Sequence, residues 1–304
     1  RCDLRQSVFE VLRHTHTHTH THTHTQYHNR LVHHSNYLRY FERAREHVLD
    51  PRFLVTLFED TGRSFVVVSA NVKYKIGARH GDMLEIRTRT CATSSYRLKF
   101  LQNVYRIGED EEDTLLVEGI VEMVCVDKSM RLTKLPEALD SLLEENETKT
   151  KRRPMPVSKK EKKIVENKSH EMKCYLDDTD FTGVCYYANY LKWMERARAE
   201  ILTTEFLSKM RRQDERVGAA IHEASLNFKS GARFGDRIRI TTRTEFQSKF
   251  RVLFHHVVYR VCTTGVVEEL VSGKISIICL DNGGAGKLVA FPSAFQEKIL
   301  ESVV

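Results

Sequence analysis

Apolar residues recur along two stretches of the chain at the three- and four-residue spacing of a helix with one buried face. In the first half the stripe consists of Tyr37, Tyr40, Phe41, Ala44 and Val48. This helix is predicted to end near Asp50-Pro51, because the residue before a proline disfavours helical geometry. In the second half the stripe consists of Tyr190, Trp193, Met194, Ala197 and Ile201. The pattern therefore predicts one amphipathic helix, with a core-facing stripe, in each half.

Runs of strand-like composition follow the first helix, separated by turns rich in Gly, Asp, Ser or Glu. They cover residues 65–74, 83–91, 96–107 and 115–126, and a short amphipathic tail at residues 135–143 follows them. One helix and an antiparallel sheet bury their apolar faces together when the sheet curls around the helix. The predicted fold class is therefore α+β, with a curled antiparallel sheet wrapped around one long helix.

The second half of the chain repeats the first. Asn189-Tyr190-Leu191 matches Asn36-Tyr37-Leu38 at an offset of 153 residues (189 − 36), and Gly-Ala-Arg-x-Gly-Asp at residues 231–236 matches residues 77–82 at 154 (231 − 77). A period this long indicates two copies of a whole domain. We predict unit 1 at residues 26–143 and unit 2 at residues 172–304. Because open sheet edges tend to pair, we expect the two units to pair within the chain and a homo-oligomer to remain open.

Two segments lack the pattern of a packed domain. Residues 1–25 are of low complexity, and residues 14–25 alternate strictly between His and Thr, which leaves no apolar face to bury. They are predicted to be disordered. Residues 144–171 are highly charged, poor in aromatic residues and contain two prolines, which predicts a linker. Its Lys/Arg run is interpreted as a solvated spacer in preference to a nuclear import signal.

Composition excludes some classes of function. The formal charge is +7, but 48 basic residues are offset by 41 acidic ones, and much of the excess lies at residues 149–163, so no nucleic-acid groove is predicted. The seven cysteines form no C-x-x-C pair, which favours a reducing, intracellular compartment, either the cytoplasm or an organelle. No run of about 18 apolar residues is present, so no membrane span is expected. Because the sequence begins at Arg1, an upstream targeting peptide stays open.

The residues with the clearest chemical potential lie where a carboxylate-rich turn meets the second helix. The sequence there reads Asp178-Thr179-Asp180-x-x-Gly183-Val184-x-Tyr186-x-x-Asn189-Tyr190, followed by Glu-Arg-Ala-Arg at residues 195–198. A carboxylate next to a turn can act as a general base toward water or as a nucleophile. Backbone N–H groups at the first turn of a helix suit an oxyanion hole.

This motif and the Gly-Ala-Arg-x-Gly-Asp loop resemble the 4-hydroxybenzoyl-CoA thioesterase family and its short-chain acyl-CoA thioesterase relatives, which have the hotdog fold. The resemblance covers nearly all of residues 172–304 and, apart from the opening turn, residues 31–143. It implies a tandem hotdog that hydrolyses an acyl-CoA thioester to a free acid and CoA, in a site formed between two hotdog units. We expect no cofactor and no metal.

The resemblance also implies roles for individual residues. The family's catalytic carboxylate maps onto Asp180, and the amide that polarises the thioester carbonyl maps onto the backbone N–H of Tyr187. Whether Asp180 acts as base or nucleophile stays open, as does the identity of the acyl group. The residues predicted to contact substrate are Gly183, Val184, Tyr186 and Arg233.

Other polar residues are given structural interpretations. Asp177 and Asp178 are predicted to be turn residues. His255 and His256 lie in a strand and are predicted to be packed or exposed structural residues. Cys185 is not predicted to be a nucleophile, because the motif positions no His partner for it. In the loops, Arg233 with Asp236 and Arg79 with Asp82 are predicted to form ion pairs.

Unit 1 departs from the motif at the turn. The offset of 153 places Thr25, Gln26 and Tyr27 opposite Asp178, Thr179 and Asp180, with Arg30 opposite Gly183 and His34 opposite Tyr187. No carboxylate remains at these positions. Two interpretations stay open: unit 1 is a structural partner, or the His-Thr tract has replaced a true Asp-containing exon through an error in the gene model.

The leading hypothesis is an acyl-CoA thioesterase with one competent site. A non-catalytic double hotdog that binds acyl-CoA or a partner is an alternative, favoured by the degenerate turn of unit 1. A hotdog hydratase or dehydratase is less favoured, because such enzymes use a His with a carboxylate and unit 2 has no His at the helix start.

Overall fold

The computed structural model describes residues 15–20, 31–108, 112–142, 163–180, 183–213, 217–262, 265, 267–281 and 286–303. The chain divides into two compact units, Arg1–Val157 and Ser158–Val304.

Unit 1 is an antiparallel sheet with its helices inserted after the first strand. Its elements in chain order are β1 (Thr15–His20), α1 (Asn36–Leu49), α2 (Pro51–Thr61), β2 (Ser64–Tyr74), β3 (Met83–Ser94), β4 (Arg97–Arg106) and β5 (Thr114–Val126), followed by a 3₁₀ turn (Glu137–Leu142). Across the sheet of this unit the strand order is β1-β3-β4-β5-β2. The predicted long helix and the four predicted strands are confirmed.

Unit 2 repeats this arrangement. Its elements are β6 (Lys163–Lys173), a 3₁₀ turn (Leu176–Asp178), α3 (Asn189–Leu202), α4 (Thr204–Gln213), β7 (Val217–Phe228), β8 (Arg237–Ser248), β9 (Arg251–Val261), β10 (Val267–Asp281) and α5 (Ser293–Glu301). The strand order is β6-β8-β9-β10-β7, with the same antiparallel pairing as in unit 1.

The long helix of each unit packs directly on a glycine in the sheet. A Cβ atom at Gly119 of β5 would lie 2.3 Å from the ring of Phe41 in α1. At the equivalent Gly273 of β10, a Cβ atom would lie 2.6 Å from the thioether end of Met194 in α3. Only glycine leaves room for the helix at this distance from the sheet. The predicted stripe of each helix is buried, and Trp193 is fully so.

The long helix of each unit ends at a residue in the left-handed region. Asp50 has φ 59° and Thr203 has φ 45°, and each lies directly after its helix. The Asp50 carboxylate then accepts from Arg52 N (2.8 Å), and the Thr203 hydroxyl accepts from Phe206 N (3.1 Å). These caps start α2 and α4, two helices that the periodicity did not predict. The predicted end of the first helix before Pro51 is confirmed.

The predicted disorder of residues 14–25 is wrong for residues 15–20, which form β1. This strand pairs antiparallel with β3, with His20 opposite Met83 and Thr15 opposite Thr88. Backbone N–H and C=O groups along an open strand edge can hold a further strand that has no apolar face of its own. The other residues of the His-Thr tract lie outside the described residues.

The predicted linker at residues 144–171 is wrong from residue 163 onward, where β6 begins. β6 occupies the same place as β1, since Lys173 pairs with Arg237 just as His20 pairs with Met83. Only alternate side chains of this edge strand are buried, so its sequence shows no strong apolar run. One of them, Asn167, accepts from Thr244 Oγ1 (2.6 Å) and donates to Ser302 Oγ (2.7 Å). The first part of the predicted linker lies outside the described residues.

Within the described part of the chain, no helix combines the length and the apolar composition needed to cross a lipid bilayer.

Candidate functional site

Asp180 lies in a short hairpin between β6 and α3. Its N–H donates to Val184 O (2.9 Å), and its carbonyl accepts from Gly183 N (3.0 Å). Thr179 and Cys185 pair next to it as an antiparallel bridge. Gly183 has φ 74°. Residues with a Cβ atom are strained in this backbone conformation, which explains why a glycine lies here. The Asp180 side chain is exposed.

The hairpin is bonded along one side to the loop at residues 231–236. Cys185 N donates to Ala232 O (2.7 Å), and Val184 forms an antiparallel bridge with Arg233. Phe234 N also donates to Gly183 O (3.4 Å). The structure thus brings Val184 and Arg233, two predicted substrate contacts far apart in sequence, into adjacent positions.

The hairpin leads directly into α3. Asn189 N donates to Tyr186 O (2.9 Å), and Tyr187 lies in the turn between them, directly before the helix begins at Asn189. The half-buried Tyr187 ring lies 5.2 Å from that of Tyr186 and 6.2 Å from that of Phe228, measured between centroids. At a helix start, backbone N–H groups combine with the positive end of the helix dipole. An oxyanion is stabilised at such a position.

Asp178 binds several groups at this junction. Its carboxylate accepts from Tyr175 N (3.1 Å) and from Trp193 Nε1 (3.3 Å). Its carbonyl accepts from Tyr186 N (2.8 Å) and from Asn189 Nδ2 (3.0 Å). The predicted turn role of Asp178 is therefore only part of its function. The spacing of the motif gave no signal for the contact with Trp193, which lies fifteen residues further along the chain.

The amide of Asn189 is fixed in orientation by these bonds. Its Nδ2 atom faces a carbonyl acceptor, so its Oδ1 atom points the other way. Asn189 is buried, and within the described residues no donor reaches this oxygen. A buried acceptor left in this state is stabilised by any water or ligand donor that reaches it.

The predicted ion pair between Arg233 and Asp236 is wrong. The Asp236 carboxylate accepts from the backbone N of Arg233 (2.7 Å) and from the guanidinium Nε of Arg260 (2.7 Å). Arg260 also donates to Gly231 O (2.7 Å), so it holds both ends of the loop. Arg260 lies in β9, 24 residues after Asp236, so the local sequence pattern did not predict that these two residues pair. The Arg233 side chain is exposed and forms none of the ion pairs found among the described residues.

Two buried thiols lie behind the hairpin. The Cys174 thiol donates to Tyr175 O (3.9 Å), and the Cys185 thiol donates to Tyr186 O (3.6 Å). Burial, followed by the interaction with the Cys174 thiol, raises the pKa of the Cys185 thiol far above its ordinary value. A thiol that stays protonated is a poor nucleophile, in agreement with the prediction that Cys185 plays no such role.

Comparison with known proteins assigns the family. The sequence profile described as the thioesterase-like superfamily matches residues 14–145 and 174–299, one segment in each unit. This chain belongs to the thioesterase-like superfamily. The predicted family and its tandem arrangement are thereby confirmed.

Curated relatives are similar to one part of this thioesterase-like chain. The acyl-CoA thioester hydrolase YbgC of Escherichia coli O6:H1 is 26% identical over 110 residues, which are 36% of this chain and 79% of the relative. The acyl-CoA thioesterase YbgC of Haemophilus influenzae is 27% identical over 125 residues, 41% of this chain and 88% of the relative. Each match covers less than half of the chain, as expected for single-unit relatives of a duplicated protein.

A solved structure is similar to most of the chain. The acyl-ACP thioesterase from Bacteroides thetaiotaomicron aligns with a TM-score of 0.63 and 13% sequence identity, covering 90% of this chain and 99% of that one. At this identity the likeness concerns the fold alone. Together with the two profile matches, it confirms the predicted tandem hotdog.

Unit 1 of this thioesterase-like chain keeps the backbone hydrogen bonds that position the start of the long helix, which we call the shared frame. Val32 N donates to Ala78 O (2.8 Å), and Asn36 N donates to His33 O (3.0 Å). These are the counterparts of the bonds from Cys185 and Asn189 in unit 2. The residues opposite the Asp178–Gly183 turn, at positions 25–30, lie outside the described residues.

The strand histidines of unit 2 have structural partners. His256 is buried, with its Nε2 3.1 Å from Arg198 Nη1 and its Nδ1 3.0 Å from Thr242 Oγ1. Burial, followed by the nearby charge of Arg198, lowers the pKa of His256 well below its ordinary value. His255 lies 2.9 Å from the Glu245 carboxylate. Both histidines are therefore held by side chains of their own unit, which agrees with the predicted structural roles.

Proposed function

We propose that this chain is an acyl-CoA thioesterase that hydrolyses a thioester to a free acid and CoA. Asp180 is the general base or the nucleophile, and the backbone N–H of Tyr187 is the oxyanion donor. One observation carries the proposal: a single hydrogen-bonded hairpin holds Asp180 and leads to Tyr187, which lies in the turn directly before the start of α3 at Asn189. The YbgC relatives are acyl-CoA thioester hydrolases by name, which supports acyl-CoA as the substrate class.

Hydrolysis through a general base follows from this arrangement. The Asp180 carboxylate takes a proton from water, and the resulting hydroxide attacks the thioester carbonyl carbon. Negative charge moves onto the carbonyl oxygen, where the Tyr187 N–H and the helix dipole stabilise it. The tetrahedral intermediate then expels the CoA thiolate and leaves the free acid. In other enzymes, loss of one such donor costs about 3–4 kcal/mol of transition-state stabilisation.

Nucleophilic attack is the second route open to the same residues. The Asp180 carboxylate attacks the carbonyl carbon, the CoA thiolate leaves, and a mixed anhydride between Asp180 and the acyl group forms. Water then hydrolyses the anhydride and regenerates the carboxylate. Label found in Asp180 after a single turnover in ¹⁸O-labelled water identifies the nucleophilic route, because a general base exchanges no carboxylate oxygen with water in the reaction.

The substrate contacts surround the hairpin. Gly183 and Val184 provide a backbone edge with little side-chain bulk, and Tyr186 provides a half-buried ring beside it. Arg233 is exposed next to Val184, so it is the member of this set best suited to an anionic group such as a CoA phosphate.

The experiment measures CoA thiol release by the full chain from short, medium, long and aromatic acyl-CoA substrates. Asp180→Asn keeps the side-chain shape and removes the base, so release is expected to fall on the order of 10²- to 10⁴-fold. The matched control is Asp177→Asn, which removes the same charge from an exposed neighbour and should stay within about twofold of the wild type.

Full turnover by the Asp180→Asn chain would reject the assigned base. Saturable acyl-CoA binding by the wild type with no release of CoA would instead support the non-catalytic alternative. Whether the chain forms a homo-oligomer stays open, and light scattering of the full chain tests it.

A further inference from the structure

We propose that Asp178 is a positioning residue that sets the separation between Asp180 and the Tyr187 N–H by anchoring their hairpin to the indole of Trp193. The proposal rests on the proposed function, in which these two groups act on the same carbonyl. Asp178 itself touches no substrate in this scheme.

The Asp178 carboxylate connects two elements on either side of the hairpin. One oxygen accepts from Tyr175 N (3.1 Å), at the 3₁₀ turn that follows β6, and the other accepts from Trp193 Nε1 (3.3 Å), on α3. The two donors belong to separate elements, so together they restrict the position of one carboxylate from two sides. The carboxylate therefore fixes the chain that enters the hairpin against the helix that leaves it.

The Asp178 carbonyl binds on both sides of Tyr187. It accepts from Tyr186 N (2.8 Å), the residue before Tyr187, and from Asn189 Nδ2 (3.0 Å), two residues after it. Asp180 follows Asp178 by two residues in the same hairpin. Asp178 is thus bonded to the immediate surroundings of the oxyanion donor and lies next to the base in the chain.

The indole is a rigid anchor for this carboxylate. Trp193 is fully buried, and its ring packs 5.0 Å from that of Tyr190, measured between centroids. A buried indole N–H needs an acceptor, and Asp178 supplies it. Because the ring cannot move without disturbing the core, movement of Asp178 is restricted as well.

Unit 1 lacks both members of this pair. At the offset of 153 residues, Thr25 stands in place of Asp178 and Tyr40 stands in place of Trp193. The carboxylate and its indole donor therefore occur together in the unit that has Asp180, and both are replaced in the unit where Tyr27 stands at that position. A purely structural role in the hotdog fold would serve both units equally.

The experiment compares kcat and KM of the full chain carrying Asp178→Asn, Asp178→Ala or Trp193→Phe, with Asp177→Asn as the control. Misplacement of the base by a fraction of an ångström to 1 Å is expected to lower kcat about 10- to 100-fold while KM changes less than about threefold. Asp178→Asn should retain more activity than Asp178→Ala, because the amide oxygen keeps one acceptor. The double variant Asp178→Asn with Trp193→Phe should lose little more than the larger single change.

A second readout does not depend on activity. Trp193 is the only tryptophan of the chain, so the intrinsic fluorescence of the full chain reports on its surroundings. Asp178→Asn is expected to shift the emission maximum of the folded protein, and Asp177→Asn is expected to leave it unchanged.

The outcomes separate this proposal from the proposed function. If Asp180→Asn is inactive but Asp178→Asn has the kcat of the Asp177→Asn control, the positioning role is overturned and the thioesterase stands. An unchanged emission maximum in Asp178→Asn overturns the indole anchor even if no acyl-CoA is hydrolysed. If the wild type releases no CoA from any substrate, the proposed function and the positioning role that rests on it both fail.

Discussion

The starts of α1 and α3 share one backbone frame and differ in the residues before it. In both units an N–H donates across to the Gly-Ala-Arg loop, at 2.8 Å from Val32 to Ala78 and at 2.7 Å from Cys185 to Ala232. In both units a buried tyrosine hydroxyl accepts from the N–H of that loop alanine at 2.8 Å. These bonds set the path of the chain into the helix.

The chemistry proposed for unit 2 depends on residues that the shared backbone bonds do not require. Asp178 and Asp180 precede the frame in unit 2, whereas Thr25 and Tyr27 stand at those positions in unit 1. A duplicated fold can therefore keep its backbone bonds while one copy changes the side chains that act on substrate. The buried cores of the two units also differ at single positions: unit 1 has Gln102 where unit 2 has His256.

Apart from the changes at Asp178, Asp180 and Trp193, the largest expected effect on turnover comes from straining the turn found in unit 2. Gly183→Ala places a Cβ at φ 74°, where no atom of the described residues lies within 4 Å, so conformational strain of about 1–2 kcal/mol is the main consequence. Because the strain falls on the hairpin of Asp180, we expect turnover to fall at least about 10-fold. CoA release and thermal unfolding of the full chain measure the two effects.

Gly265→Ala is the matched control for this change. Gly265 has φ 82°, again with nothing within 4 Å in the part of the chain that the structure describes, and lies between β9 and β10. A similar loss of stability with unchanged turnover is expected. Equal loss of turnover in both variants would show that backbone strain anywhere in unit 2, and not the turn itself, limits activity.

The next prediction compares the loss of stability when a methyl group is added to the sheet glycine that each long helix packs on. Gly119→Ala forces a Cβ against the rigid ring of Phe41, with an expected loss of about 3 kcal/mol in the free energy of unfolding. Gly273→Ala meets the flexible end of Met194, so a loss of about 1 kcal/mol is expected. Urea unfolding followed by circular dichroism measures both. A larger loss at Gly273 would contradict the packing account.

The smallest expected effect is a difference in acid stability. The lowered pKa of His256, caused by burial and then by Arg198, means that the unfolded chain takes up a proton below about pH 6.5 when the folded chain does not. Stability from this group is present above that pH and falls by about 1.4 kcal/mol per pH unit below it. His256→Gln installs the residue of unit 1, whose Gln102 accepts from Arg45 at 2.9 Å.

Trp193 fluorescence during urea unfolding at pH 5 to 8 follows unit 2 selectively, since the chain's one tryptophan lies there. Other titrating groups contribute to both proteins, so the difference between wild type and His256→Gln isolates His256. The variant should lose less stability toward pH 5. An identical pH dependence would mean that His256 does not stay neutral in the folded unit.

Much of the fold follows from the sequence, because the long helices and central strands bury periodic apolar faces. The edge strands β1 and β6 do not follow from it. An edge strand is held by backbone bonds to one neighbour, as between His20 and Met83, and needs little apolar sequence. Helices α2 and α4 also escaped prediction, because each starts from a single left-handed residue, Asp50 or Thr203.

The candidate site divides in the same way. The motif located Asp180 and the start of α3, because a carboxylate, a turn glycine and a helix start are local in sequence. The sequence did not predict hydrogen-bond partners that lie far apart in the chain and meet only in the fold. Trp193 as the donor to Asp178 and Arg260 as the partner of Asp236 depend on how helix and sheet pack, and no local spacing encodes that.

The most direct measurement is a single turnover with the Asp180→Asn chain in excess over its best acyl-CoA substrate. If the turn of unit 2 holds the only competent carboxylate, the rate constant for CoA release should fall below about 1% of the wild-type value. A rate constant within about twofold of the wild type would contradict this account, because it would require a second competent site whose base is not Asp180.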